Sequence, residues 1–205
     1  MLIFWDAGLV LMATPKTGTH ALELALAEHI DVMFRHPPKI KHMTYSWAQT
    51  ALPRLLTHDE FSRFRFVAMM RDPIDWLGSW YRYRRRDDLN GKLNSTREMD
   101  FSSFLSGYLT DPQPPYSRLG RQWRFLRTEN DKVGVDYLFP YERMEDLVAF
   151  LEERLDCKLD LPRANVSPPG DLKIAEDLHA PLEENLKKDL LLYRTLVSGG
   201  DWKSV

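Results

Sequence analysis

The sequence predicts an α/β domain with a central, mainly parallel sheet flanked by helices. Three observations point there: short apolar runs alternate with amphipathic stretches, two of those runs pass through a tight turn straight into a helix former, and the chain holds no internal repeat or low-complexity tract. At 205 residues, with no Gly/Ser/Pro linker or charge block dividing it, the chain reads as one domain over residues 1–205.

The elements follow in order. GLVLMA (residues 8–13) is continuously apolar, as a buried strand is. Thr19 to His29 is predicted as a helix with Leu22, Leu26 and neighbouring alanines on one side, and DVMFR (31–35) as a short second strand. HPPKIKH is a loop by its prolines, and Met43 to Leu52 forms a helix. FRFVAMMR (64–71) is the strongest central strand. DPIDWLGSWYRYRRR continues it as a helix, with Asp72 as N-cap and Pro73 in the first helical position. After the polar surface loop DDLNGKLNSTREMD, DFSSFLSGYL starts another helix with Asp100 or Ser102 as cap. GVDYLFPYERMEDLVAFLEERLD reads as strand, turn and helix, the helix carrying an apolar stripe of Leu147, Phe150, Leu151 and Leu155. A proline-rich loop, NVSPPGD, and a helix from about Leu182 to Leu196 close the chain.

Composition excludes several classes. A formal net charge of −2 gives no global field for nucleic acid or an anionic membrane, so any anion binding must be local. The single cysteine, Cys157, permits no internal disulfide and no cysteine-based zinc site, which fits a reducing compartment. No run of 18 apolar residues occurs, and the apolar N-terminal stretch lacks a basic n-region, carries Asp6 and runs into the first turn as a strand. A soluble, cytoplasmic protein without a cleaved leader is expected.

Both special turns stand where a parallel sheet collects its ligands, at the carboxyl ends of strands. In TPKTGTH, Gly18 lets backbone approach an anion, Thr17 and Thr19 offer hydroxyls, and Lys16 supplies a mobile charge. The nucleoside-triphosphate pattern G-x-x-x-x-G-K-[ST] is not met, because Lys16 precedes the only glycine. In RDPIDWLGS, Arg71 ends a strand and Ser79 lies nearly two helical turns beyond Pro73, so a long guanidinium can share one anion with that hydroxyl. Asp75, Ser79, Arg82 and Arg86 share one helical face. The aromatic and basic run Tyr81 to Arg86 either funnels an anion to the site or stabilises a helix C-terminus.

On these residues the chain resembles the sulfotransferases. TPKTGTH is similar to their 5′-phosphosulfate loop, commonly written TYPKSGTTW; RDPIDWLGSWY resembles their 3′-phosphate motif, an arginine with proline two later and serine eight later. YERMEDLVAFLEERL resembles their Y-E-D-L region, and NVSP a short element before the last helices of some members. The resemblance implies a three-layer P-loop-like domain and transfer of a sulfuryl group from 3′-phosphoadenosine 5′-phosphosulfate (PAPS) to a hydroxyl or amine of a small-molecule or carbohydrate acceptor, with no metal. Lys16 would stabilise the leaving phosphate; Thr17, Gly18 and Thr19 would hold the 5′ end; Arg71 and Ser79 would hold the 3′-phosphate; and Tyr141 would approach the adenine. The loop's second threonine is His20 here, read as a donor to the cofactor. The tryptophan after it is Ala21, so adenine stacking comes from elsewhere or is absent. No R-K-G motif follows NVSP.

An in-line transfer needs a base, and histidine is suited by its pKa near 6.5. His42 stands where many sulfotransferases place a histidine close to the acceptor. His36 is its rival, and a carboxylate such as Asp75 stays open. His29, His58 and His179 read as surface or capping residues. Two other readings remain: a P-loop nucleotide or small-molecule kinase, and a non-catalytic nucleotide-binding protein on the same fold.

Overall fold

The computed structural model of the protein describes residues 1–162 and 170–205; the NVSP element falls outside the described residues. Its five strands are β1 (Leu2–Phe4), β2 (Leu9–Leu11), β3 (Val32–Met33), β4 (Arg65–Met70) and β5 (Tyr137–Pro140), in the sheet order β3-β1-β2-β4-β5. β2 pairs with β4 and β4 with β5 in parallel, whereas β1 runs antiparallel to both β2 and β3. Four strands therefore share one direction and β1 alone opposes them.

That antiparallel strand is a difference from the sequence reading, which treated the N-terminal segment as a single strand. Asp6 and Gly8 break the apolar run: Gly8 takes φ 60° and its N–H donates to Trp5 O, so the chain reverses and residues 2–4 pair with residues 9–11.

The helices among the described residues are α1 (Thr19–Ala25), α2 (Pro38–Lys41), α3 (Tyr45–Ala51), α4 (His58–Arg63), α5 (Pro73–Tyr83), α6 (Phe101–Leu109), α7 (Gln122–Leu126), α8 (Met144–Leu155), α9 (His179–Asn185) and α10 (Lys187–Val197). α1 ends at Ala25 rather than His29. HPPKIKH, read as a loop, holds the short α2, and the single closing helix is two, meeting at Leu186. The cap expectations hold: Asp72 accepts the N–H groups of Ile74 and Asp75, and Asp100 accepts that of Ser103.

The alternating side chains of β4 explain how the sheet is buried on both faces. Phe66, Ala68 and Met70 pack with Val10, Met12 and Leu138 against Ala48 of α3, Trp123 of α7 and Leu192 of α10. Val67 and Met69 join Leu9 and Leu11 against Leu22 of α1 and Leu147 and Leu151 of α8. A third cluster ties α5 to α6 and α9 through Leu77, Tyr81, Phe104 and Leu182. Among the described residues no helix is long and apolar enough to cross a membrane.

Candidate functional site

The carboxyl ends of β2, β4 and β5 lie side by side and deliver three groups to one place: the loop around Lys16, the Arg71 turn and Tyr141. Past β2 the chain stays paired for one more bond, Met12 N–H to Val67 O, and then turns through two left-handed residues, Lys16 at φ 68° and Gly18 at φ 73°. For a lysine this conformation costs on the order of 1 kcal/mol or more. Two distant side chains offset it: Trp76 Nε1 donates to Pro15 O at 2.9 Å and Arg71 Nη1 to Lys16 O at 3.2 Å. The positive φ favours glycine at position 18, and a methyl there would also crowd Met144 Cε at 2.9 Å and Tyr141 Cε2 at 3.3 Å, which would have to give way. Thr17 is buried and its hydroxyl donates to Thr14 O at 2.8 Å, so it braces the loop from within instead of presenting its proton outward. Thr19 opens α1, half-buried, after the uncapped Gly18.

Arg71 is fixed from several sides. Its backbone N–H donates to Gln122 Oε1 at 2.9 Å and its carbonyl accepts Gln122 Nε2 at 2.8 Å, so a side chain 51 residues away continues the pairing that β5 no longer supplies. The guanidinium donates from Nε to Asp75 Oδ2 at 2.5 Å and lies 4.5 Å from the centre of the Tyr141 ring. Asp75 also takes Arg82 Nη2 at 3.4 Å. Ser79 is buried on α5 one turn beyond Asp75.

The Lys16 side chain extends along α5. Its Nζ stands 4.3 Å from the centre of the Tyr83 ring and 5.7 Å from that of Trp80. Burial, and after it the guanidiniums of Arg86, Arg71 and Arg82, pull its pKa down to about 8. Four cations thus gather where only Asp75 offers a carboxylate to any of them among the described residues. Such a concentration of one sign beside a glycine turn has the chemistry to attract an oxyanion.

His42 meets the segment that leads into the same loop, where Nδ1 donates to Ala13 O at 2.7 Å. That bond fixes the tautomer and leaves Nε2 as the acceptor. Desolvation lowers the His42 pKa, working against the Ala13 hydrogen bond, and so favours the neutral ring that can take a proton. Beside it a buried carboxylate, Glu23 of α1, accepts Lys41 Nζ at 2.6 Å. His20 does not face the turn: half exposed, it leans toward Glu23, with Nδ1 3.8 Å from Oε2. His36 is exposed, as are His29, His58 and His179. Asp75 has both oxygens engaged by arginines, which makes it a poor base. Cys157, past the end of α8, has its thiol pushed up by burial and by Glu152 and Asp156, the opposite of what a nucleophile needs.

The structure therefore brings Lys16, Gly18, Arg71 and Tyr141 into one cluster, sets Ser79 on the adjoining helix and His42 on the loop's own backbone, and leaves His20 apart. Sequence reasoning missed Gln122 and Glu23, and it left the run that holds Tyr83 open between an anion funnel and a helix end without linking it to Lys16. Glu23 alone left a trace, an acid within the apolar LELALA. Among the described residues no group of three or more His, Cys, Asp or Glu is placed to hold a metal ion. Comparison with protein families, with characterised proteins and with solved structures finds no match.

Proposed function

We propose that the chain is a cytoplasmic sulfotransferase on a P-loop-like three-layer fold, moving a sulfuryl group from PAPS to a hydroxyl or amine of a small-molecule or carbohydrate acceptor without a metal. One observation carries the reading: Arg71, the residue expected to hold a 3′-phosphate, donates to the carbonyl of Lys16, the residue expected at the 5′ end. The two turns are thereby parts of one site. The sheet covered on both faces, and the single half-buried cysteine, agree with the fold and the compartment.

PAPS supplies an activated sulfuryl group on a phosphate leaving group. For it the residues present have the right chemistry: Arg71 and the Ser79 hydroxyl for the 3′-phosphate, and the backbone of Lys16 to Thr19, open at Gly18, for the 5′ end. Tyr141, whose ring centre lies 4.5 Å from the Arg71 guanidinium carbon, is the aromatic surface available to the adenine in place of the missing residue at Ala21. During transfer the acceptor oxygen or nitrogen bonds to sulfur as the sulfur's bond to the 5′-phosphate oxygen breaks. Lys16 in its charged form stabilises the negative charge left on that oxygen. His42 Nε2 takes the acceptor proton, its ring oriented by Ala13 O.

Calorimetric titration of 3′,5′-ADP, 5′-AMP and ATP·Mg²⁺ tests the reading. The 3′-phosphorylated nucleotide should bind best, and Arg71→Ala should weaken it about 100-fold, in line with removal of a charged group from a desolvated anion contact, while 5′-AMP changes little. Preferred binding of ATP·Mg²⁺ that ignores the substitution would sink the proposal in favour of a kinase.

A further inference from the structure

The arginine run at the end of α5 is not one patch. Arg84 is buried and donates to the carbonyls of Pro115 and Arg118, at 3.0 and 3.2 Å. Arg85 donates to Tyr81 Oη at 2.7 Å and Met99 O at 3.2 Å. Both tie loops to the helix. Arg82 shares Asp75 with Arg71.

Arg86 differs from all of them. It pairs with no carboxylate among the described residues, since the neighbouring Asp87 takes Arg97. Its guanidinium carbon lies 4.6 Å from the centre of the Tyr83 ring, the same ring that Lys16 Nζ approaches at 4.3 Å. Trp80 packs edge-on against Tyr83, with 5.7 Å between ring centres, and its buried Nε1–H has no acceptor among the described residues. An aromatic face attracts a cation but carries no net charge, so two like charges at one ring still repel. An oxyanion reached by both would convert the repulsion into two attractions.

We infer that Arg86, with Tyr83 and Trp80, forms a third anion subsite on the acceptor side of Lys16, so that the acceptor carries a sulfate, phosphate or carboxylate group near the atom that receives the sulfuryl. The inference rests on the sulfotransferase reading, which assigns Arg71 and Ser79 to one end of the donor and Lys16 to the other. Arg86 belongs to the Lys16 end. It follows Ser79 by seven residues, roughly two helical turns, and of the three guanidiniums that hold the Lys16 pKa down it acts most strongly. The Lys16 end is where the sulfur–oxygen bond breaks and where an acceptor enters. The Tyr83 and Trp80 rings form the wall against which its apolar or sugar face would lie.

The test uses the full chain in calorimetry, first with 3′,5′-ADP and then, with that nucleotide saturating, with inorganic sulfate as the probe and chloride holding ionic strength constant. One sulfate per chain is expected. Arg86→Gln should weaken it about tenfold or more, Arg86→Lys should keep it, and both variants should keep the preference for 3′,5′-ADP over 5′-AMP. Retention by the lysine variant guards against a loss of fold. If the nucleotide-loaded protein takes no sulfate, or if Arg86→Gln weakens 3′,5′-ADP as much as Arg71→Ala does, Arg86 is not an acceptor residue and the inference falls alone. Failure of 3′,5′-ADP to bind wild type at all would instead overturn the donor reading, and the acceptor assignment with it.

Discussion

The Arg71 and Lys16 ends of the site carry the same sign of charge and are held in opposite ways. Arg71 has a carboxylate on its Nε, a glutamine on both backbone groups and a tyrosine ring against its guanidinium. Lys16 Nζ has two aromatic rings and the repulsion of three guanidiniums. The first cation is preorganised, so an anion meets it without further ordering. The second is poised: its charged form, still the main one at pH 7, is held less firmly than in water, and an arriving anion would strengthen it. A catalyst that must bind one phosphate tightly and stabilise charge only as a bond breaks has use for both arrangements.

Breaking the rigid end gives the largest effect. Gln122→Ala strands the buried N–H and C=O of Arg71, which should lower stability by on the order of 2–4 kcal/mol in denaturant titration and weaken 3′,5′-ADP more than 5′-AMP. An unchanged preference for the 3′-phosphate would mean that Arg71 does not depend on its clamp.

The poised end is reached by pH. Because Lys16 titrates near 8 in the folded protein, below its ordinary value, raising the pH from 7 to 9 neutralises it and should cost 3′,5′-ADP about tenfold in affinity. Lys16→Met should flatten that dependence. Folding runs with the opposite sign: between about 8 and the ordinary lysine value the unfolded chain holds more protons here, so this group's contribution to stability rises with pH.

The smallest effect sharpens the comparison most. Tyr83→Leu removes a ring that favours charged Lys16, so the midpoint of the affinity–pH curve should move down by about half a unit, the equivalent of a weak cation–π contact. A midpoint that rises would show that the ring holds Lys16 by exclusion of water rather than by attraction.

The same contrast decided what was legible in the sequence. The β4–α5 unit and its Asp72 cap were readable because an apolar run, an N-cap and a following proline are local signals. The turn at Gly18 was readable because glycine is the residue that takes a positive φ at least cost, and it stands between an apolar run and a helix former. The role of Gln122 was not, since nothing near QWRFL marks it and the contact exists only through the tertiary fold. His20, expected as a donor to the cofactor, stands second on α1, half exposed, and one turn later comes the buried Glu23, 3.8 Å from its Nδ1, a neighbour that the loop motif does not announce. The paired helices α9 and α10 read as one because no proline or glycine marks their junction at Leu186.

The clamp on Arg71 also fixes when, in the life of the chain, the site comes into being. Gln122 follows Arg71 by 51 residues, and the next residue, Trp123, gives its N–H to the buried Asp189 of α10, another 66 residues downstream. A chain emerging from the ribosome therefore makes the Gly18 turn early and completes the support of the Arg71 backbone only once α10 is in place. A copy that lacks α10 would carry both turns and lose the Trp123–Asp189 bond beside the glutamine that holds the Arg71 backbone.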